Sequence, residues 1–462
     1  MVATIYSVCT SPGYTWAGMD NDCFNFVWAA TTLGTPHLPG YPIKTMLDIV
    51  TFRVPIGMEG WRLAWFGSTI PAIISCILVF LIVRKLTDNK WSPYVASVSL
   101  AGAGAFFMQA IIPEVYTFSI MCMLVTYLAF VSKKEKTMAV WAGITATTSP
   151  FVFPAVFFMV FFGVRKRWWW IPVVTATALY SYCFLRNGAF APAVPYLLNQ
   201  MWFKYIGAMP LSQFWYRLRD AGILICVGFG LALIPAFMFL ADLKKNWMFW
   251  LFSILSIIWF LTTDTEASYV HFLLIFPWIA IAAGLGLDKI KLKPILIFGL
   301  SFVLLLMMPW FYDIGNTMDP NLSAQTFYDD LKNVPDGSII TNVIYIGNGD
   351  IGIDERSGVT TAVVNTKEGK HLIALNELAY LSLDQEGENY RKSLRDQYNI
   401  ITPVVAVLLF KTTTDYFPTG VSAPLFSITQ MIAEANPNRK VYYSFIPESS
   451  PVERVLTETK LK

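Results

Sequence analysis

Long apolar runs fill the first two thirds of the chain, and shorter runs broken by polar residues take over in the last third. Stretches near the roughly 20 residues a helix needs to cross a bilayer fall at 61–83, 92–112, 115–132, 168–185, 222–241, 247–263, 268–287 and 294–312. Between 137 and 164, "TMAVWAGITATTSPFVFPAVFFMVFFGV" is interrupted by Pro150 and Pro154. Proline removes a backbone donor and crowds the preceding turn, so this stretch is either one kinked helix or a hairpin of two half-length helices.

Basic residues decide between these, because short cytoplasmic loops collect Lys and Arg. Clusters occur at Arg84, Lys85 and Lys90; Lys133, Lys134 and Lys136; Arg165, Lys166 and Arg167; Lys244 and Lys245; and Lys289, Lys291 and Lys293. All of them share one side only if 137–164 enters and returns. A hairpin is therefore predicted, for about ten membrane segments in all. Residues 17–60, the Pro113–Glu114 link, the loop 186–221, the link 264–267 and everything after 313 then lie on the non-cytoplasmic side. That face gathers Asp20, Asp22, Glu114, Asp264 and Glu266, with Lys44, Arg53, Arg62, Arg186, Lys204, Arg217 and Arg219. At the front, "MVATIYSV" is too short to span and lacks a signal peptide's basic region. It reads as the tail of a first membrane helix whose beginning is missing.

From residue 314 the pattern changes. Helix-like "SAQTFYDDLKNV" leads to strand-like "SIITNVIYI" and "GVTTAVVNT"; a polar helix is expected over 377–398, and "TPVVAVLLF" reads as a buried strand. "LFSITQMIAEAN" then precedes "KVYYSFI". Alternation of this kind predicts a small α/β domain. "GNGDIG" has no helix after it and is no phosphate loop. The expected organisation is a polytopic α-helical membrane domain over 1–313, with a first extracytoplasmic loop at 17–60, and a soluble extracytoplasmic α/β domain over 314–462.

Composition agrees. Charged residues make up 14% of the 462, against roughly 25% in soluble domains, and the mean hydropathy is +0.51. No basic stripe with interleaved aromatics and no zinc spacing is present, so nothing points to nucleic acid. The cysteines Cys76, Cys122, Cys183 and Cys226 fall in apolar spans and read as small hydrophobes. Cys9 and Cys23 could pair if they face an oxidising space.

The candidate chemistry lies in "MDNDCFNFVWAATTLGTPHLPGYPIKTML", residues 19–47. Pro39-Gly40 suits a type II turn, and Pro42 suits the first turn of a helix, where its missing N–H costs nothing. The turn thus forms a rigid corner between short helices near 23–33 and 43–50, the first apolar enough for the membrane interface. Asp20 and Asp22 either cap the helix that follows or supply a general base at the water–lipid boundary. Glu114 is a helix N-terminal charge or part of a polar site at the membrane surface. For Arg62 the alternatives are interfacial snorkelling and a phosphate clamp. Arg186, Lys204, Arg217 and Arg219 carry the same pair of readings. His37 can bond within its own turn, His271 reads as a satisfied helix histidine, and His371 is assigned no role.

These residues resemble the transmembrane O-mannosyltransferase-like family of GT-C glycosyltransferases, whose front motif is an Asp-Ser-Gly-Glu block, an apolar stretch and His-Pro-Pro-Gly-Tyr-Pro. Counting back from His37, the family's Asp falls on Asp22 and its Glu on Asn25; Leu38 stands for the first Pro of the turn. "EVYTFSIMCMLVTYLAF" from Glu114 is similar to the family's Glu-Val-Tyr-Thr helix, and "WRLAWFGSTIPAI" places its Arg at Arg62. "YVHFLLIFPWIAIAAGLGL" and the C-terminal domain fit in outline. A His that the family often carries near 148–152 is absent from "TTSPF". The resemblance implies a GT-C-like fold and an inverting transfer of sugar from a polyprenyl-phosphate donor to a hydroxyl of a protein, lipid or glycan. The setting would be a multi-pass protein of a prokaryotic plasma membrane. Asp22, or Asp20, would be the catalytic base, and His37, Tyr41, Arg62, Glu114, Tyr116 and Arg186 would contact substrates. No nucleotide or redox cofactor is implied; Asp20, Asp22 and Glu114 together could hold a divalent metal. The rival is a non-catalytic transporter or lipid-binding protein. It would line a path with ionisable residues in mid-span, and these spans hold almost none.

Overall fold

A computed structural model describes residues 1–11, 26, 29–30, 41–57, 59–186, 211–241, 246–262, 272–290, 293–311, 333–341, 352–354, 359–365, 371–374, 388, 392, 395–396, 399, 401, 430–445 and 455–458. The chain divides into two compact units. One comprises Met1–Thr10, Leu38–Val54 and Trp61–Ile314; the other comprises Ser11–His37, Pro55–Gly60 and Gly315–Lys462.

The first unit is helical. Its elements are α1 (Val2–Cys9), α2 (Pro42–Phe52), α3 (Glu59–Ala64), α4 (Ile70–Leu86), α5 (Ser92–Ala101), α6 (Gly104–Ala110), α7 (Tyr116–Val131), α8 (Glu135–Ala146), α9 (Phe153–Gly163) and α10 (Trp170–Arg186). They continue as α11 (Leu211–Phe229), α12 (Leu233–Leu240), α13 (Trp247–Thr262), α14 (Phe276–Leu285) and α15 (Pro294–Phe311). Apolar spans and helices coincide closely. Among the described residues, Gly60–Leu86 and Ala221–Leu240 are long and apolar enough to cross a membrane. The expected single span 92–112 is broken at Gly102 and Ala103 into α5 and α6. Gly102 lies so close to α15 that a β-carbon would stand 2.7 Å from Ser301 O.

The stretch 137–164 folds back on itself. Arg165, just past α9, bonds Glu135, the first residue of α8, at 2.8 Å between Nε and Oε2. A β-carbon on Gly163 would also touch the Met138 side chain. Both ends of the stretch therefore meet, which a straight kinked helix cannot achieve.

That meeting point belongs to a belt of contacts joining the basic loops. Phe162 packs edge-on against Trp247, and Lys289 Nζ donates to Met238 O at 3.2 Å. Asn89 Nδ2 donates to Asp288 Oδ1 at 2.6 Å. Lys136 and Arg167 both lie over the Trp168 ring. The described parts of the basic loops thus gather at one end of the helical unit. The core behind that end is aromatic: Tyr127, Phe249 and Phe252 surround Trp278, whose Nε1–H donates to Ser256 Oγ at 2.9 Å.

The second unit contains a mixed six-stranded sheet of order β2-β3-β4-β1-β5-β6. Its strands are β1 (Ile339–Thr341), β2 (Gly352–Asp354), β3 (Val359–Asn365), β4 (His371–Ala374), β5 (Val441–Phe445) and β6 (Val455–Glu458). Strand β1 runs parallel to β4 and β5, with Ile339 paired to Ile373 and Val441, while the outer pairs are antiparallel. Parallel neighbours need crossover connections, so this is an α/β arrangement. The expected strands beginning near 338, 358 and 440 are present, and residues 430–435 are helical. The expected helix over 377–398 and strand "TPVVAVLLF" lie outside the described residues, apart from a few isolated positions.

Candidate active site

The polar centre of the helical unit forms where its longest helix slips register. The run 60–86 is continuous, but Trp65–Thr69 is a π-turn, with Ile70 N–H donating to Trp65 O. Pro71 follows one residue later, after Ile70. It has no N–H and its ring crowds the carbonyl four residues back, so the ladder widens to five residues per bond, a device that recurs at functional sites.

The widened turn aims three successive residues at four other segments. Ser68 reaches the link before α7: its Oγ–H donates to Glu114 O and its oxygen accepts Glu114 N–H, both at 2.9 Å. Thr117 Oγ1 donates to Ser68 O at 3.0 Å, using a carbonyl in the slipped stretch. Thr69 Oγ1–H donates to Ala110 O at 2.7 Å and lies 2.9 Å from Thr10 Oγ1. Gly67 faces α2, where Lys44 and Asp48 form an ion pair with Nζ 2.7 and 2.6 Å from the carboxylate oxygens. Both side chains are essentially unexposed, at 0% and 1%.

Glu114 is 2% exposed, and its Oε2 accepts Val115 N–H at 3.1 Å. The carboxylate therefore sits against the start of α7, where the helix dipole favours negative charge; Tyr116, 6% exposed, follows it. Arg62 is 8% exposed. Its Nη1 donates to Val54 O, and its guanidinium lies over Phe52. These contacts tie α3 to the end of α2, so the group is held by the protein rather than snorkelling. Pro42 occupies the first turn of α2 as expected. Tyr41 precedes it with φ 39°, a left-handed conformation, and is buried. Arg186 is the last residue of α10. Asp20, Asp22 and His37 lie outside the described residues, and of the expected helix 23–33 only Phe26, Ala29 and Ala30 are described, all helical and buried.

Glu114 is bonded to the π-turn through Ser68, and Arg62 lies three residues before that turn on the same continuous helix. The Lys44–Asp48 pair was not anticipated, although Lys44 stood among the outward-facing cations. Its signal is the i,i+4 spacing in "PIKTMLD", which puts both groups on one helical face. Burial pushes the Asp48 carboxyl up to about 6, with the Lys44 ammonium pulling the other way. Among the described residues, no three His, Cys, Asp or Glu side chains are grouped to hold a metal.

The site lies at the end of the helices opposite the basic belt. Helix α7 starts beside Glu114 and finishes before Lys133, and its 16 residues rise about 24 Å. Helix α4 likewise starts at the π-turn and ends on Arg84 and Lys85.

A protein-family model described as the protein O-mannosyl-transferase TMEM260 N-terminal domain matches residues 22–182. Among solved structures, the chain is similar to ArnT from Cupriavidus metallidurans in its apo state, with TM-score 0.61 and 9% identity over 98% of this chain and 96% of that one. It is also similar to the same protein bound to undecaprenyl phosphate, with TM-score 0.51 and 12% identity over 71% of this chain. That match spans 66% of the lipid-bound chain, just under two thirds. None of the curated proteins matches. The fold is helical and GT-C-like.

Proposed function

We propose that this chain transfers a sugar from a polyprenyl-phosphate donor to a hydroxyl of a protein, lipid or glycan at the extracytoplasmic face of the membrane. The observation that carries the reading is the family match, which starts at Asp22 and runs through the Glu114 helix on an ArnT-like fold. The lipid-phosphate class of donor is supported by ArnT, whose structure is bound to undecaprenyl phosphate.

In this mechanism Asp22, or Asp20, accepts the proton of the acceptor hydroxyl. The freed oxygen attacks the anomeric carbon from the face opposite the phosphate. The bond between that carbon and the phosphate oxygen breaks, polyprenyl phosphate departs with the electron pair, and configuration inverts. Arg62 meets the charge growing on the phosphate, since guanidinium and phosphate pair through two parallel hydrogen bonds. Glu114, Tyr116, Tyr41, His37 and Arg186 orient the sugar and acceptor. Burial of Glu114 at the start of α7 supports its part, because a fixed carboxylate binds sugar hydroxyls without first losing side-chain freedom. A location opposite the basic belt supports the extracytoplasmic assignment.

The test is transfer of labelled sugar from polyprenyl-phosphate donors in membranes carrying Asp22→Asn, Asp20→Asn or both. Loss of a positioned base costs roughly 10²–10⁴-fold. Full turnover in all three variants would remove this mechanism.

A further inference from the structure

The Lys44–Asp48 pair has no role in the chemistry above, yet it is among the most deeply buried charge in the described chain. Taking two charges out of water costs more than an apolar pair of the same volume would, so burial alone does not account for it. Its position does. A β-carbon placed on Gly67 would lie 2.7 Å from Lys44 Nζ, 2.8 Å from Lys44 Cε and 3.2 Å from Asp48 Oδ1. The ammonium thus sits directly against the backbone of the π-turn, in the space Gly67 leaves open. Asp48 grips it through both carboxylate oxygens. The next residue, Ser68, holds both backbone groups of Glu114.

We infer that Lys44 and Asp48 are positioning residues, whose ion pair seats α2 against Gly67 and locks the π-turn in the register that holds the Glu114 link. An ammonium is compact enough to approach a glycine backbone and needs hydrogen-bond acceptors around it; an apolar side chain fills the volume without fixing the register. The front-loop helix and the Glu114 link then move as one piece, with the turn as the joint. This inference rests on the proposed sugar transfer only for the meaning of the lipid-phosphate arm below.

The test uses the full chain in lipid nanodiscs, comparing the parent with the apolar double variant Lys44→Met/Asp48→Leu and with Gly67→Ala. Hydrogen–deuterium exchange is followed at 65–69 and 111–117, with the interior of α7 as reference, and affinity for added undecaprenyl phosphate is measured alongside. The expected result is roughly tenfold faster exchange at both segments, with the α7 interior and the unfolding temperature of the double variant unchanged. A role confined to stability would move the unfolding temperature and spare the local pattern. Parent-like exchange at 111–117 in either variant overturns the inference. Should the double variant fail to fold, Gly67→Ala carries the same comparison with the pair intact but displaced. A parent that binds no undecaprenyl phosphate, in a series where 111–117 responds as expected, upholds the positioning role and counts against the sugar-transfer reading.

Discussion

Replacing Ser68 with alanine removes one oxygen and two hydrogen bonds at once. The hydroxyl accepts Glu114 N–H and donates to Glu114 O, both at 2.9 Å, and Ser68 and Glu114 are 0% and 2% exposed. A typical buried hydrogen bond contributes about 1 kcal/mol net, and a buried backbone group deprived of its partner costs about 1–3 kcal/mol. With two backbone groups affected and some relaxation allowed, Ser68→Ala should cost about 2–4 kcal/mol. Ser75→Ala is the matched control: its buried hydroxyl makes one bond, to Pro71 O at 2.8 Å within its own helix, and its loss should cost under about 1 kcal/mol. The assay is thermal unfolding in nanodiscs followed by tryptophan fluorescence, read with exchange at 111–117. Ser68→Ala should unfold several degrees below Ser75→Ala and expose the Glu114 link. Equal unfolding temperatures and an equally protected link would refute the claim that the π-turn holds this segment.

The raised carboxyl of Asp48 gives a pH dependence of known sign. Its folded value of about 6 exceeds the ordinary 3.8, so the folded chain holds the proton more tightly. The stabilisation is therefore complete below about 3.8 and lost as pH rises through about 6; Asp48→Asn should remove that step from a plot of unfolding temperature against pH. Gly286→Ala should be severely destabilising, because a β-carbon there would overlap Pro235 O, whereas Gly299→Ala meets nothing within 4 Å and should be neutral or mildly stabilising. Cysteines placed singly at Asn89, Glu135, Arg165 and Asp288 should all react with a membrane-impermeant thiol reagent from the same side. Labelling of Glu135→Cys and Arg165→Cys from opposite sides would defeat the proposed topology.

Much of the helical unit is legible in the sequence, because apolar length and loop charge are strong signals. The hairpin at 137–164 follows from the placement of Lys133–Lys136 and Arg165–Arg167, and Glu135 and Arg165 meet as that placement requires. The π-turn is not legible from hydropathy, since two hydroxyl residues, Ser68 and Thr69, within an apolar span suit a regular helix as well as a slipped one; only Pro71 in mid-span hints that the ladder must slip. Lys44 and Asp48 escape for a related reason. Seen singly, each is an ordinary charged residue of a loop helix, and their burial depends on Gly67, a residue brought beside them only by folding. The break at Gly102–Ala103 likewise depends on α15 passing close by. Glu114 and Arg62 stand out because a charge at the edge of an apolar span needs a physical reason to be there.

A helix that carries one residue more than its regular winding allows has a signature in genealogy. Deleting any single position between Trp65 and Thr69 would restore the ordinary spiral with Arg62 near its present face, but would set the Pro71 ring against a carbonyl four residues back. Relatives of this chain should therefore differ in length here only where the prolyl step at 71 is gone as well.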